Sequence, residues 1–541
     1  MATTLFTDLP TEILEAIFLH LDPRSLISAS QTSKLIKQLT ADSPILWRHL
    51  CQTQFRTWHS RHNIATKVAG PLSDVDWRAL YMEKTKIEAR TRALLDHVVS
   101  TQHKRIQCIN EIADFGYDAK EALLRQLECP DDAEDVLSRR YYANAVLERI
   151  HREIAINIWK DLSESKDVPI EKALGAYDVF ARIGEDVDTN VIGEELDALA
   201  NGVLHEYADF ADLSPRMKAS TLATYLRDHG FKGVPDRSYR ALGNSFIGLV
   251  LSSESHHSLP LISAAIYCAL ARRVGLDARP CACGPHVYTL AYAPPNYNLD
   301  GQYKPTSTTV RDYMYLDPFR SSTEVQRADL QRTLREMDVP GAAQEYFLSD
   351  TTTTEMVLRT ARNIMTSVQT IRQTEAGMRG IQASWLNAYP DMDNAFYGTI
   401  WSMLILGHAD HASNISNGTT RRRQYLPYLL DHFQTHFPWD VTLLEQYVIP
   451  MFYDQPEGQR LLQFVQSMHQ VDAMRKPIVM RDDKAANVKF KVGQLFQHKR
   501  YSYEGVVTGW DVSCDAGEEW IQNMSVDRLP GGRNQAFYHV L

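Results

Sequence analysis

Apolar positions in the first fifty residues recur at helical spacing. Leu9, Ile13, Ile17 and Leu21 fall every fourth residue, with Leu14 and Phe18 beside them. This pattern predicts an amphipathic helix with a wide apolar stripe. Pro10 suits the first turn, where its missing N–H would be unpaired in any case, and Glu12 sits where the helix dipole favours negative charge. Asp22-Pro23 closes this helix and a second begins at Ser25-Leu26-Ile27. A segment of about 45 residues is too short to cover so much apolar surface alone. Either a partner protein covers it, or the small bundle docks on the rest of its own chain.

Periodicity divides the remainder. Residues 75–240 carry helical patterns, including Ala93-Leu94-Leu95 with Val98-Val99, and Tyr142, Val146, Ile150 and Ile154 on one face. Over 241–330 an apolar helix gives way to short β-like runs punctuated by Gly and Pro, and 331–480 return to helix. The last part, 486–541, is rich in Gly and aromatics: Lys489 to Leu495 alternates with period two, and Gly505-Val506-Val507-Thr508-Gly509-Trp510 reads as a strand. Turn-rich or charged linkers are expected at Ala69–Asp74, Asp300–Thr309 and Arg481–Lys484. The fold class is therefore multidomain and mainly α, with an α+β core near residues 241–330 and a small C-terminal β-barrel.

Composition narrows the function classes. The 541 residues are 44% hydrophobic and 23% charged, with a net charge of −10, as in an ordinary globular protein. That balance argues against non-specific binding to phosphate backbones or anionic membranes. The seven cysteines (Cys51, Cys108, Cys129, Cys268, Cys281, Cys283 and Cys514) are scattered and form no C-x-x-C pair. A disulfide framework and a zinc site are not expected, nor is any other metal or cofactor. No signal peptide and no apolar run of about 18 residues is present, so the expected setting is cytoplasmic, nuclear or both, with no membrane partner.

The N-terminal block, Leu9-Pro10-x-Glu12, Ile17-Phe18-x-x-Leu21, Leu26, Ser30, Ser33 and Leu46-Trp47-Arg48, resembles the F-box in order and spacing. The resemblance covers roughly residues 5–50 of an F-box domain expected over residues 1–60, and implies docking on a Skp-type adaptor tethered to a cullin scaffold. Leu9, Pro10, Ile13, Leu14, Ile17, Phe18 and Leu21 are the implied contact residues. Which of them face the adaptor and which the F-box's own core is left open.

Four central blocks run from Tyr239 to Phe319: Leu242–Leu251, the apolar helix Leu259–Leu276, Gly284-Pro285-His286-Val287-Tyr288, and Tyr313-Met314-Tyr315-Leu316-Asp317-Pro318. A His and an Asp on neighbouring strands would be two members of a nucleophile–base–orienter set, with the nucleophile at a helix N-terminus. The blocks resemble the SirB-type transglutaminase-like core. The resemblance places His286 and Asp317 at the family's His and Asp, and Pro260 where active members carry the Cys that begins the helix. Cys268 sits mid-helix on a face with Leu261 and Ala265 and reads as core. Ser258, Ser263, Cys281 and Cys283 are the alternative nucleophiles, and none carries a further sign of activation. His286 and Asp317 are expected to be structural remnants, so the chain is expected to have no catalytic residue.

The blocks Gly505-Val506-Val507-x-Gly509-Trp510-Asp511 and Gln535-x-Phe537-Tyr538-His539-Val540-Leu541 resemble the YccV-like, or hemimethylated-DNA-binding, domain. Such domains continue with a further strand, so a barrel ending at Leu541 is expected to be incompletely closed. Residues 486–541 hold six Lys/Arg and six Asp/Glu. A neutral domain argues against DNA as partner, although Lys489, Lys491, Lys499 and Arg500 cluster at one end and keep DNA as an alternative through this domain. The whole order resembles the F-box only protein 21-like family. That resemblance implies a non-catalytic substrate receptor of a ubiquitin ligase, acting on a protein target that the sequence does not identify. The alternatives are a DNA-binding adaptor and a cysteine-type acyl-transfer enzyme.

Overall fold

The computed structural model describes residues 6, 9–182, 188–304, 311–377, 389–407, 415–475, 485–499 and 502–540. The expected linker Arg481–Lys484, part of the Asp300–Thr309 loop, Arg500 and Leu541 lie outside these residues. Two compact units are present, Met1–Ala473 and Met474–Leu541.

The first unit opens with four short helices, α1 (Thr11–Phe18), α2 (Pro23–Ser30), α3 (Lys34–Asp42) and α4 (Pro44–Gln54). Each boundary has a chemical cause. Asp22 caps α2 by accepting from the Arg24 and Ser25 N–H groups at 2.9 and 3.1 Å. Ser33 and Ser43 cap α3 and α4 in the same way. Pro10 occupies the N-cap position itself, one residue ahead of the first turn. The core of this bundle is not self-contained. Leu14, Phe18, Leu26, Ile36, Leu46, Leu50, Cys51 and Phe55 close only with Trp77, Leu80 and Tyr81. Those three come from a later helix.

After α5 (Ile64–Ala69), that helix is α6 (Trp77–Ser100), followed by α7 (Arg105–Asp114), α8 (Lys120–Leu127) and α9 (Val136–Ser163). Leu94, Leu95 and Val98 of α6 meet Val146, Leu147 and Ile150 of α9 in one core; of the expected residues, Ala93 is exposed and Val99, Tyr142 and Ile154 are half-buried. A polar cluster fixes the first bundle to this layer. The carboxylate of Asp118 is fully buried and accepts from the His59 N–H at 3.0 Å, the Arg61 guanidinium at 3.0 Å and His62 at 2.8 Å, with Lys84 Nζ at 3.4 Å. Burial alone would raise this carboxyl, but the His59 N–H, Lys84 and His62 outweigh it and hold it below its ordinary value. Glu121 adds bonds from the Arg56 and Thr57 N–H groups.

Next come α10 (Ile170–Ala181), α11 (Thr189–Glu206), α12 (Pro215–Asp228), α13 (Ile247–Ser252) and α14 (Pro260–Arg273). Strands β1 (Ala278–Cys281), β2 (Tyr288–Tyr292), β3 (Tyr313–Leu316) and β4 (Glu324–Val325) pair antiparallel in that order. Strand alternation gives the sheet two covered faces. Ala291, Met314 and Leu316 pack in the core that contains α14, whereas Tyr288, Leu290 and Tyr315 pack with Leu330, Leu334 and Leu348. The latter belong to α15 (Arg327–Glu336) and α16 (Gly341–Leu348). Helices α17 (Thr353–Gly377), α18 (Met392–Leu406), α19 (Ile415–His436), the short turn α20 (Val441–Leu443) and α21 (Pro456–Ala473) complete the unit. Helices α10–α14 and α17–α21, expected to fall in separate parts, thus share one large core with the end of α9, with α10 and α18 buried along their lengths, while the N-terminal bundle keeps its own. Among the described residues no helix is long and apolar enough to cross a membrane.

The second unit holds β5 (Leu495–Gln497), β6 (Glu504–Asp511), α22 (Glu518–Asn523) and β7 (Phe537–Val540). Its sheet is three-stranded, ordered β5-β6-β7, with an irregularity between Val507 and Gly509. Among the described residues the expected barrel is not closed. One of the segments counted toward it is not a strand. Lys489–Gln494 is a turn because Gly493 adopts φ +84° and donates to the Val507 carbonyl at 2.7 Å. Glu519-Trp520-Ile521 lies in α22.

Candidate functional site

Two regions carry candidate chemistry in the first unit. The first is the face of the N-terminal bundle. Leu14 is 0% exposed and Phe18 1%, so both belong to the bundle's own core. They leave the set of expected contact residues, for a side chain already packed on all sides has no surface to offer. Leu9, Ile17 and Leu21 are half-buried and Pro10 is exposed. Ile13 is 49% exposed, and Ile27 and Ile45 are 57% and 50% exposed. Ile27 and Ile45 were not among the expected residues, since spacing within one helix says nothing about its neighbours. Filling the core has left several large aliphatic side chains in solvent on one small bundle, a pattern that marks interaction surfaces.

The second region is the end of the two inner strands at His286. Gly284 turns the chain with φ +60° ahead of β2, and His286 follows in the bend. Its Nε2 lies 3.0 Å from Asp317 Oδ1 at the end of β3. Arg320 Nη1 stands 3.6 Å from the other carboxylate oxygen. The expected His–Asp pair is therefore formed, and Asp317 orients the ring as it would for a base. The ring then meets Tyr288 at 4.6 Å and Phe319 at 5.6 Å. Phe319 also packs on Gly233, where an added Cβ would lie 2.6 Å from its ring.

Among the described residues none of the expected alternative nucleophiles is poised beside the pair. Pro260 begins α14, is buried and has no side-chain cap. The Ser258 and Ser263 hydroxyls bond each other at 2.6 Å. Among the described residues neither bonds His286. Burial pushes the Cys281 thiol up to about 12 and the Cys283 thiol up to about 11, and it raises Cys268 as well. That is opposite to the depressed pKa a thiolate nucleophile requires. Among the described residues no three His, Cys, Asp or Glu side chains converge as a metal site would need.

With this geometry in place, comparison with known proteins is decisive at the level of domain order. Residues 6–53 match an F-box-like family. Residues 190–362 match the transglutaminase-like superfamily, and 488–541 match the family described as hemimethylated DNA-binding protein YccV like. F-box only protein 21 of Pongo abelii is 22% identical over 580 residues, 99% of this chain and 83% of the relative. The Homo sapiens protein of the same name is 22% identical over 584 residues, with the same coverage. The chain is thus similar to F-box only protein 21 along nearly its whole length, with F-box-like, transglutaminase-like and YccV-like matches in that order. The Mus musculus protein of that name is 47% identical over 60 residues, covering 11% of this chain and 10% of its own. No solved structure gives a significant match.

The transglutaminase-like match encloses the α14 start and the His286–Asp317 pair. Beside that start lies a cleft of about 640 Å³ between the Val234–Asn244 segment and the loop after α13. Sequence reasoning missed it. Its signal was the polar run Ser252-Ser253-Glu254-Ser255-His256-His257-Ser258 between two apolar helices. Asp178 of α10 lies beneath the wall, accepting the Leu249 N–H at 3.1 Å. Its second oxygen is buried without a hydrogen-bond partner among the described residues. Burial pushes this carboxyl up to about 7. The folded protein therefore holds a proton that the unfolded chain releases near pH 4. The contribution of Asp178 to stability is greatest below about pH 4, falls as pH rises to about 7, and is level beyond that. Asp178→Asn is expected to abolish this slope. Its advantage over wild type should grow from nothing near pH 4 to on the order of 3–4 kcal/mol at pH 8. Urea denaturation at the two pH values measures it, and equal differences at both would contradict the assignment.

Proposed function

We propose that the chain is the substrate-recognition subunit of a Skp–cullin–F-box ubiquitin ligase and that its transglutaminase-like core is non-catalytic. The F-box would hold the adaptor, the remaining domains would select the protein to be ubiquitylated, and other subunits would supply the chemistry. The observation that carries this reading is the aliphatic surface left on the N-terminal bundle after its core is filled, led by Ile13, 49% exposed. The Asp118 cluster adds to it. A receptor must hold its target at a defined distance from the adaptor, and the bonds from Asp118 and Glu121 fix residues 56–62 to the helical layer.

Neither alternative gains support. An acyl-transfer enzyme would need a low-pKa thiol, and the candidates are raised by burial. A DNA adaptor would need a basic face. In the second unit Arg533 is engaged by Glu518 at 2.6 Å and Asp527 at 2.7 Å, which neutralises it.

Co-expression of the full chain with a Skp-type adaptor tests the proposal. The two should co-elute from size-exclusion chromatography as an equimolar complex. Elution of the wild-type chain alone at micromolar concentration would sink the receptor reading.

A further inference from the structure

We infer that the cleft beside the start of α14 is the site where this receptor takes its target, and that it accepts a peptide segment bearing an anionic group, a carboxylate or a phosphate. The inference rests on the receptor reading and names the ligand class for one of its domains.

The cleft is built onto the place where an enzyme of this superfamily would work. Asn244 of its wall accepts the Leu259 N–H at 3.3 Å, directly ahead of Pro260. Val234 donates to the Ser258 carbonyl at 3.1 Å. A concavity shaped around the start of this helix thus persists where the nucleophile does not. Its volume, about 640 Å³, falls within the range of ligand sites.

Its lining selects charge. Among the described residues the ionisable groups that line it are Arg182, Arg237 and His257, with no carboxylate. Arg182 is balanced from behind: Asp178 Oδ1 lies 3.9 Å away and Glu195 is close enough to feel its charge. Arg237 has no carboxylate within ion-pair distance among the described residues, and its side chain is exposed. Hydroxyls such as Ser253 and the Asn244 amide stand beside these cations, while Leu249 and Val234 give an apolar wall. Guanidinium groups with hydroxyl and amide donors suit carboxylate or phosphate. The apolar wall suits the flanking side chains of a peptide.

A random peptide library displayed on phage and panned against the full chain tests this, with Arg237→Glu and Ser253→Glu panned in parallel. Both positions are surface sites outside any core, and retained adaptor co-elution reports that each variant is folded. Peptides enriched on wild type should share an Asp or Glu. A synthetic copy should bind about tenfold or more weakly to Arg237→Glu, a loss of about 1.4 kcal/mol, and less tightly as salt rises. Replacing the shared acid by phosphoserine then separates the sources: tighter binding marks a phosphate site, weaker binding a carboxylate site. Enrichment without an acidic position, equal enrichment on wild type and Arg237→Glu, or no enrichment overturns the inference. Loss of adaptor binding with charge-dependent enrichment intact would remove the receptor reading alone. Adaptor binding without such enrichment would remove the cleft alone.

Discussion

Asp440→Ala is expected to destabilise the first unit by about 3–5 kcal/mol. Asp440 is fully buried and receives both ends of the Arg152 guanidinium, at 2.8 and 2.9 Å. Arg152 is itself 1% exposed, lies 4.8 Å over the Phe437 ring and reaches toward Glu148 at 3.4 Å. Its neighbour Arg149 bonds Thr442 at 2.8 Å, and Thr442 bonds Asn110 at 2.8 Å. This network ties α9 to the turn before α20 and to α7. Removing Asp440 leaves a buried guanidinium with its principal counter-charge gone. The pair as a unit is a different matter, because desolvating two charges offsets much of their attraction. Arg152→Met combined with Asp440→Leu should therefore recover most of the loss. Urea denaturation followed by tryptophan fluorescence measures both, with Trp439 beside the replaced carboxylate. A double variant as unstable as Asp440→Ala would show that shape, and not the orphaned charge, sets the cost.

Ile13→Asp and Phe18→Ala should fail in different ways, although both residues sit on α1. Ile13 is half exposed, so the aspartate is expected to change stability by no more than about 0.5 kcal/mol. The same change places a charge in the proposed adaptor contact and should weaken adaptor binding about a hundredfold, the scale of an interface hot spot. Phe18 is 1% exposed and central to the core shared with Trp77 and Tyr81. Its truncation should cost about 3–5 kcal/mol and impair the adaptor only by unfolding the bundle. A thermal melt paired with adaptor titration by calorimetry separates the two. Full adaptor affinity in Ile13→Asp would move the interface off this face. An unfolded Ile13→Asp would mean that the side chain is structural after all.

How much was legible beforehand varied with the range of the interaction. The every-fourth-residue stripe on α1 identified the helix, but not the side on which Leu14 and Phe18 would be buried. That side was set by Trp77, Leu80 and Tyr81, more than fifty residues further along. In the C-terminal unit, Gly505–Asp511 was readable as a strand because glycines bound an apolar run. The alternation of Lys489–Leu495 misled, because a positive φ at Gly493 overrides a period-two pattern. The His286–Asp317 pair was readable because its motif fixes both positions. The 640 Å³ cleft beside the start of α14 was not, since its walls come from four separated segments.

Resemblance of motifs supplied the F-box and implied the place of Pro260, whereas the residue types and their local spacing determined by themselves that the chain is mostly helical and opens with an amphipathic helix. Those features depend on neighbours within a turn or two, whose geometry is the same in any fold. Only the tertiary structure decided which aliphatic side chains stay in water, which carboxylates are buried against which cations, and where a cavity opens. Asp118 with His62 and Arg152 with Asp440 gain their meaning from packing between segments far apart in the chain, and packing is where burial and dielectric are set.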